Sequence, residues 1–387
     1  MWMLIAAGVL TLLIWGYLLL GRGGFWRIQS AAPPSAAAAN RARIAVVIPA
    51  RNEADVVGRT ITSLLRQSRT NSIHLFLVDD GSTDGTAQAA REAAAQIGCA
   101  EMLTVIEGLP LAPGWSGKMW AVQQGIEQAA RTAPDFFLLT DADIEHAPDS
   151  LATLVSIVHS RPFDLASFMV KLHCETLAEK LLIPVFVYFF FKLYPPAQIA
   201  NPNSATAGAA GGCILVRPAA LEKAGGIEAI RHEVIDDCAL AARVKRSGGR
   251  LWLGASATTK SIRPYGSFSE IGGMISRSAF NQLHHSTLLL FFSMIGMAST
   301  YLLPPALTLF SHRTLPSVLG AVAWLIMTVS YLPVLRLYRL NFLWALALPL
   351  AAIFYVGATF HSAWKYWTGR GGEWKGRIQD PVETAQH

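Results

Sequence analysis

Charged side chains are scarce in this sequence of 387 residues. Asp, Glu, Lys and Arg together account for 15% of it, whereas hydrophobic residues account for 52%, a composition that is apolar for a soluble protein. The scarcity is most marked in four strongly apolar stretches without any charged residue, which are 1–21, 286–311, 314–335 and 341–363. Each stretch is long enough to cross a lipid bilayer as a helix. The sequence therefore excludes a protein that is soluble throughout, and it predicts one soluble domain between about Arg41 and Asn281.

Cysteine is also rare, and the four cysteines are scattered. Cys99, Cys174, Cys213 and Cys238 show neither the spacing of a metal-binding motif nor the pattern of a disulfide framework. Such a scatter is typical of a domain in a reducing cytoplasm.

The sequence lacks a basic patch interleaved with aromatic residues, so it predicts no nucleic-acid partner. The net charge is nevertheless +6 because basic residues flank the apolar stretches. These flanking residues are Arg22, Arg27, Arg41 and Arg43 near the N-terminus, and Lys365, Arg370, Lys375 and Arg377 near the C-terminus. Basic residues beside membrane helices favour the cytoplasmic side. We therefore expect a multi-pass protein of the cell inner membrane with a cytoplasmic soluble domain.

The sequence divides into five segments. They are a transmembrane anchor (1–21), a linker (22–42), the soluble domain (43–281), a membrane segment of two to three helices (282–364) and a basic tail (365–387). A cleaved signal peptide is the alternative for the anchor, but its basic residues would precede the apolar run. Pro304 and Pro305 favour a re-entrant stretch 286–311, which leaves one hairpin with Arg336 and Arg339 at its outer tip. Residues 178–196 are predicted to form an interfacial helix or, alternatively, a buried core helix.

Within the soluble domain, apolar runs of strand length alternate with helical patterns. The predicted strands are Ile44–Pro49, Leu75–Val78, Leu103–Ile106 and Phe136–Leu139, and the predicted helices are Asp55–Gln67, Thr86–Ile97 and Lys118–Ala130. This order predicts an α/β fold with a mostly parallel sheet and helices on both faces. Ligands of such sheets bind at the carboxyl ends of the strands. Carboxylates follow three of these strands, at Glu53, at Asp79 and Asp80, and at Asp141 and Asp143.

Asp141 and Asp143 are the candidate metal ligands. Two acidic residues one position apart at a strand end can hold one Mg²⁺ or Mn²⁺, which also takes oxygens from a diphosphate. A solvated turn is the alternative. At the second strand end, Asp79 or Asp80 is a candidate partner of a nucleobase edge, whereas Asp84 is expected to cap the next helix.

Three further charged residues are candidates for anion binding or for general-base catalysis. Lys118 begins a helix after a Gly-Trp-Ser-Gly turn, a position that suits an anion, with a solvated lysine as the alternative. Asp237 begins the predicted helix Cys238–Arg246, where it either complements the helix dipole or acts as a general base. Arg277 precedes the membrane segment, so it either contacts a diphosphate or marks the cytoplasmic side.

Taken together, these motifs resemble those of family 2 glycosyltransferases of the GT-A fold. The matching motifs are Pro-Ala-Arg-Asn-Glu (49–53), Val-Asp-Asp-Gly-Ser-Thr-Asp-Gly-Thr (78–86), Asp-Ala-Asp (141–143) and the Asp236-Asp237 pair. With Gly-Trp-Ser-Gly-Lys (114–118), Ala-Gly-Gly-Cys (210–213) and Arg-Ser-Ala-Phe-Asn-Gln-Leu (277–283), the chain is most similar to hopanoid-biosynthesis-associated glycosyltransferases, which in turn resemble ceramide glucosyltransferases. The Gln/Arg-x-x-Arg-Trp motif of processive members is missing, which argues against a polymer synthase.

The resemblance implies roles for individual residues. It implies donor binding by Pro49, Arg51, Glu53, Asp79, Asp80, Lys118, Asp141 and Arg277, metal binding by Asp141 and Asp143, and catalysis by Asp237 as the base. A late segment, 373–377, is a further candidate contact of the diphosphate. The implied reaction is an inverting transfer from a nucleotide sugar, a UDP-sugar by resemblance, to a membrane lipid acceptor in hopanoid or glycolipid biosynthesis. The alternatives are a polyprenyl-phosphate glycosyltransferase and a non-catalytic nucleotide-binding membrane scaffold.

Overall fold

The structure is a computed structural model of the chain. It describes residues 1–28, 42–67 and 72–369, together with the backbone of residues 373–374 and 377–378. Most of the predicted linker 22–42, most of the basic tail 365–387 and the side chains of the segment 373–377 lie outside the described residues.

Helices and strands account for most of the described residues. The helices are α1 (Trp2–Leu20), α2 (Val57–Leu65), α3 (Thr86–Gln96), α4 (Gly117–Ala130), α5 (Ser150–Ser160), α6 (Leu177–Leu193), α7 (Pro196–Ala200), α8 (Pro218–Lys223), α9 (Asp236–Arg246), α10 (Phe268–Ser278), α11 (Thr287–Met297), α12 (Leu303–Phe310), α13 (Thr314–Leu337) and α14 (Leu348–Trp367). The strands are β1 (Arg43–Ala50), β2 (Ser72–Asp79), β3 (Leu103–Glu107), β4 (Phe136–Leu139), β5 (Ile144–Glu145), β6 (Leu165–Lys171), β7 (Ile214–Val216), β8 (Leu251–Ser261), β9 (Glu373–Trp374) and β10 (Arg377–Ile378).

Eight strands form one sheet in the order β3-β2-β1-β4-β7-β6-β8-β5. The first four are parallel, which confirms the prediction from the alternating strand and helix patterns. In the register of β1 and β2, Ala50 lies opposite Asp79. The polar residues that follow these two strands therefore leave the sheet at the same edge.

The other half of the sheet is mixed. β7 is antiparallel to both β4 and β6, β8 is parallel to β6, and β5 is antiparallel to β8. The predicted βα order did not include this extension. The carboxyl end of β8 lies beside the end of β4, since the amide of Ile262 donates to the carbonyl of Asp143 at 2.9 Å. The residues after β8 therefore join the same edge as the predicted carboxylates.

Helices cover both faces of the parallel half, because β1 has apolar side chains on both of its faces. Val47 of β1 belongs to the core that includes α4, while Val46 and Ile48 belong to the core under α2 and α3. α4 lies so close to the sheet that Gly125 has no room for a side chain. A Cβ at Gly125 would overlap Cγ1 of Val47 and lie 3.1 Å from Cγ2 of Val78.

Within the described residues, four helical stretches are long and apolar enough to cross a membrane, namely Trp2–Leu20, Thr287–Phe310, Thr314–Leu337 and Phe342–Trp367. The second of them is continuous through α11, the π-helical segment Ala298–Leu302 and α12. Pro304 and Pro305 lie in the first turn of α12, where proline is tolerated. The prolines do not reverse the chain, so the geometry favours a crossing helix over the expected re-entrant stretch.

The first helix packs on helices from the other end of the chain. A Cβ at Gly8 of α1 would lie 2.8 Å from Cβ of Leu319 in α13. Trp15 of α1 is fully buried, and its Nε1 donates to the carbonyl of Thr300 at 3.0 Å. α1, α11–α12 and α13 therefore form one bundle.

The hairpin expected from the sequence is placed differently in the structure. Arg336 and Arg339 were expected at an outer tip, yet the hydroxyl of Tyr338 accepts a hydrogen bond from the amide of Leu172 at 3.2 Å. This end of α13 is therefore at the α/β domain, and the expectation of an outer tip is wrong. The far tip is the connection between α12 and α13.

α14 packs on α6 and α10 and also on α11 and the π-helical segment of the bundle. Phe354 packs on Phe268 of α10, the Ser362 hydroxyl accepts from the amide of Phe280 at 3.0 Å, and Tyr366 packs on Phe280. α6 is also mostly buried between the domain and the bundle, as the buried-helix alternative for residues 178–196 predicts.

Candidate functional site

Charged side chains converge at the carboxyl edge of the sheet. Asp141 and Asp143 follow β4, Asp236 and Asp237 open α9, and Lys118 lies in the first turn of α4. The helix α4 begins at a Ser116 cap, whose hydroxyl accepts from the amide of Met119 at 3.4 Å. This cap fixes the helix start and directs Lys118 toward the carboxylates.

Lys118 bridges two of these carboxylates. Its Nζ lies 3.0 Å from Oδ1 of Asp141 and 3.1 Å from Oδ2 of Asp236. Burial alone would lower the pKa of Lys118, but the two carboxylates outweigh it and raise the pKa. Lys118 is therefore a permanent cation, and the alternative of a solvated lysine is wrong.

Asp237 is held by backbone amides beside this ion pair. Its Oδ2 accepts from the amide of Gly211 at 2.8 Å, and its Oδ1 accepts from the amide of Cys238 at 2.7 Å. A Cβ at Gly211 would lie 3.4 Å from Oδ2 of Asp237 and 3.6 Å from Nζ of Lys118, both ordinary contacts, so the backbone at this position lies directly beside both charged groups. Burial, together with the neighbouring Asp236 carboxylate, raises the pKa of Asp237 to about 6. A carboxylate with a raised pKa is a better proton acceptor than an ordinary one.

Arg263 is a site residue that the sequence analysis missed. It follows β8, forms an ion pair with Glu53, and places its Nε 3.3 Å from Oδ2 of Asp143. The same Asp143 oxygen accepts from the hydroxyl of Ser261 at 3.1 Å. The signal that could have found Arg263 is its position directly after a long strand, where the sheet edge collects functional residues.

Asp141 and Asp143 fit a divalent cation that is also held by a diphosphate. Burial raises the pKa of Asp141, and although Lys118 opposes the rise, the adjacent carboxylates of Asp143 and Asp236 add to it. This excess of negative charge suits a cation. Among the described residues no group of three or more His, Cys, Asp and Glu side chains forms a complete metal site. Mg²⁺ and Mn²⁺ at nucleotide sites need only one or two carboxylates, because phosphate oxygens and water complete the shell.

The carboxylates in the turn after β2 mainly stabilise that turn and the neighbouring residue Arg51. Oδ1 of Asp79 accepts from the amide of Ser82 at 2.9 Å, and Asp80 is buried with a carboxylate oxygen 3.5 Å from Nη1 of Arg51. Asp84 accepts from the amide of Thr86, the first residue of α3, at 3.0 Å. It does so from the position before the N-cap, which is Gly85 and carries no side-chain cap.

A large cavity of about 1350 Å³ connects the charged edge with the membrane helices. Seven of the ten residues predicted for the site line it, namely Pro49, Glu53, Lys118, Asp141, Asp143, Asp237 and Arg277. Arg51, Asp79 and Asp80 lie outside its lining. Its other wall contains Met297 and Thr300 of the bundle and Tyr355 of α14. One cavity thus has a charged end and an apolar end.

These features define the GT-A fold, in which a mostly parallel sheet with an antiparallel extension presents carboxylates at one edge. Residues 45–225 match the family model described as Glycosyl transferase family 2. The chain therefore contains a glycosyltransferase family 2 domain.

Two relatives are similar to this part of the chain. The 4,4'-diaponeurosporenoate glycosyltransferase of Staphylococcus aureus is 32% identical over 119 residues, which is 30% of this chain and 28% of that protein. An uncharacterised protein of Methanocaldococcus jannaschii is 30% identical over 127 residues, which is 33% of this chain and 46% of that protein. The chain thus spans less than half the length of these curated relatives.

A solved structure resembles nearly the whole chain. It is the mannosyltransferase of Pyrobaculum calidifontis in complex with GDP-Man and Mn²⁺, and the superposition has a TM-score of 0.53 at 19% identity. It covers 94% of this chain and 99% of the other. At this identity the likeness establishes the fold.

Proposed function

We propose that the chain transfers a sugar from a nucleotide-sugar donor to a lipid acceptor in the membrane. The observation that carries this proposal is the single cavity of about 1350 Å³ whose wall includes both Asp237 and the membrane-helix residues Met297 and Thr300. A donor is water-soluble and a lipid acceptor is not, so a transferase that joins them needs one site with both kinds of wall.

The charged end of the cavity suits the donor. Lys118, fixed between Asp141 and Asp236 at 3.0 Å and 3.1 Å, supplies positive charge near the diphosphate. Glu53 and the Asp79–Asp80 turn are the proposed contacts of the ribose and base, with Pro49 and Arg51 supporting them. Arg277 lines the same cavity and is the second proposed cation for the diphosphate.

Asp141 and Asp143 are the proposed ligands of Mg²⁺ or Mn²⁺. The cation supplies charge neutralisation on the diphosphate as it leaves. Arg263 holds Asp143 in this structure at 3.3 Å, so it acts as the counter-ion of that carboxylate and would give up this contact to the metal.

Asp237 is the proposed general base. Its carboxylate takes the proton of the acceptor hydroxyl, the hydroxyl oxygen forms a bond to the anomeric carbon, and the bond from that carbon to the diphosphate breaks. The leaving group is the nucleoside diphosphate, and a single displacement inverts the anomeric configuration. The backbone bonds from Gly211 and Cys238 hold the carboxylate in one orientation for this step.

The acceptor is proposed to be a hopanoid or another glycolipid precursor. Support comes from the resemblance to hopanoid-biosynthesis-associated glycosyltransferases and from the relative in Staphylococcus aureus whose name denotes a lipid-like substrate. The cytoplasmic side of the inner membrane is the proposed place of the reaction, because basic residues flank the apolar stretches.

Calorimetric titration of the detergent-purified protein with UDP and Mn²⁺ tests the donor half of the proposal. We expect UDP binding that requires Mn²⁺ and that is lost in Asp143→Ala. The absence of UDP binding with any divalent metal would contradict a UDP-sugar donor. Metal-dependent UDP binding without sugar transfer to any membrane lipid would instead favour a non-catalytic scaffold.

A further inference from the structure

The membrane-facing half of the cavity contains a lysine that the proposed reaction does not use. Lys192 lies in the last turn of α6, and its side chain lines the cavity together with Phe189 and Thr300. Its ammonium group donates a hydrogen bond to the hydroxyl of Tyr301 at 2.9 Å. It also lies 4.7 Å and 4.8 Å from the ring centres of Phe189 and Tyr301. The aromatic rings therefore hold this cation in a defined place.

The charge of Lys192 is not balanced within the described part of the chain. The described residues contribute no carboxylate ion pair to it, and the charged neighbour that affects it is Arg22, which has the same sign. Burial and Arg22 lower the pKa of Lys192 to about 8, so it remains mostly protonated at pH 7. A cation in apolar surroundings is costly unless oxygen atoms contact it. The side chain has three N–H donors, and Tyr301 uses one of them.

The backbone of Lys192 also lies beside the end of the crossing helix α1. Arg22, which follows α1 closely, donates from Nε to the carbonyl of Lys192 and from Nη2 to the carbonyl of Leu193, both at 3.0 Å. The end of a crossing helix is where lipid headgroups lie. The oxygen of a lipid headgroup can therefore reach Lys192 from inside the cavity.

We propose that Lys192 is the headgroup subsite of the acceptor, where its ammonium donates to an oxygen of the lipid headgroup. The apolar part of the lipid then lies along Phe186, Phe190 and Met297, which line the same cavity, and the reacting oxygen faces Asp237. The inference rests on the proposed function, because it specifies how the same cavity holds the acceptor. Two headgroup chemistries supply such an oxygen, namely an anionic phosphate or carboxylate and a hydroxyl-rich headgroup.

Site-specific photolabelling with three amphiphiles of one chain length tests this subsite. The probes are an alkyl phosphate, an alkyl 1,2-diol and a plain alkane, each with a diazirine at the same chain position. They are applied to the full-length protein in phosphatidylcholine nanodiscs, and the labelled peptides are quantified by mass spectrometry. The variants are Lys192→Met, which keeps the length of the side chain without its donors, and Lys192→Arg, which keeps the charge. Lys180→Met is the matched control, because Lys180 lies on the same helix and outside the cavity lining.

We expect the wild-type protein and Lys180→Met to be labelled at cavity-lining peptides by at least one oxygen-bearing probe. Lys192→Met should lose this labelling by about tenfold or more, since a hydrogen bond to a charged donor is removed. Lys192→Arg should restore part of it, and labelling by the alkane should not change. A preference for the phosphate identifies an anionic headgroup, and a preference for the diol identifies a hydroxyl-rich one.

Equal labelling of the wild-type protein and Lys192→Met by both oxygen-bearing probes would overturn the subsite. A wild-type cavity that is not labelled above the level of the alkane would overturn it as well. Titration of the same variants with UDP and Mn²⁺ is the second measurement. We expect the affinity for UDP to be the same in Lys192→Met as in the wild-type protein. If the wild-type protein does not bind UDP, the donor half of the proposed function is contradicted. A failure of the headgroup subsite can therefore be distinguished from a failure of the proposed function.

Discussion

The charged residues of the site differ mainly in the groups that contact their side chains. Lys118 and Asp237 both line the cavity near Asp236, yet Lys118 is neutralised by carboxylates, whereas Asp237 is held by two backbone amides. Lys118, which is ion-paired, therefore keeps its charge. The carboxylate of Asp237, which accepts hydrogen bonds from two backbone amides and has a pKa raised to about 6, can exchange a proton near neutral pH.

Asp237→Asn should abolish turnover and leave donor binding largely intact. The amide keeps the shape of the side chain but cannot accept a proton, so we expect kcat to fall by roughly 10² to 10⁴. Steady-state transfer assays and UDP titration of the same preparation measure the two effects. Asp149→Asn, at the exposed start of α5, is the matched control. A loss of donor affinity as large as the loss of rate would count against the base role.

The activity of the wild-type protein should decrease as the pH falls below about 6. Because the pKa of Asp237 is raised to about 6, the carboxylate is ionised above that pH and protonated below it, and a protonated base cannot accept the acceptor proton. The measurement is the pH profile of kcat/KM with saturating Mn²⁺. A profile that stays flat from pH 7 to pH 5 would contradict this assignment.

Arg263→Gln should increase the affinity for Mn²⁺ in the absence of nucleotide. The guanidinium contacts Asp143 at 3.3 Å and pairs with Glu53, so it competes with a cation for the same carboxylates. Electron paramagnetic resonance of free Mn²⁺ measures the affinity directly. Arg59→Gln removes an arginine that pairs with Glu145, a residue outside the cavity lining, and should have no effect. A weaker affinity in Arg263→Gln would show that the arginine supports the metal site.

At the scale of helices and strands, α4 packs closely on the sheet beside the site. Gly125→Ala should destabilise the protein by about 1–3 kcal/mol, since the new methyl group would overlap Val47. Thermal unfolding of the purified protein measures the change. Gly58→Ala in α2 is the control, because its Cβ would lie 3.6 Å from Cβ of Ala93, an ordinary contact. Equal midpoints of thermal unfolding for the two variants would mean that α4 can move away from β1.

The sequence predicted the elements that depend on local patterns. The strands of the parallel half and their carboxylates followed from apolar runs that end in polar residues, and the structure brings Asp141 and Asp143 to the expected edge. Arg263 was missed because its partner Glu53 is 210 residues away and no motif surrounds it. The placement of α14 was missed for another reason. Its composition is that of a membrane span, and only its neighbours, such as Phe268 and Phe280, distinguish a helix that lies along the domain.

At the scale of the whole molecule, the contacts of α13 and α14 indicate on which side of the membrane α14 ends. The end of α13 and the end of α14 are both near the α/β domain, because Tyr338 at the end of α13 contacts Leu172 and Tyr366 near the end of α14 contacts Phe280. We therefore predict that α1, α11–α12 and α13 cross the membrane, whereas α14 does not. This arrangement places Lys365 and Thr368, near the end of α14, on the side of the domain, as the positive-inside rule favours for the lysine.

Cysteine accessibility in sealed vesicles tests this arrangement. In a background with Cys99 and Cys174 replaced by serine, we expect Thr368→Cys and Arg91→Cys to react from the same side of the membrane. His312→Cys, between α12 and α13, should react only from the opposite side. Labelling of Thr368→Cys together with His312→Cys would show that α14 crosses the membrane.

The packing of α1 on α13 has a consequence for the order in which the protein is made. The ribosome completes Gly8 and Trp15 long before their partners Leu319 and Thr300 exist. During that time the indole N–H of Trp15 and the groove at Gly8 have only lipid or the insertion machinery as neighbours. Insertion of the first helix and assembly of the bundle are therefore separate events in biogenesis, and a chain that stops before α13 would be anchored in the membrane but left with an unfilled groove.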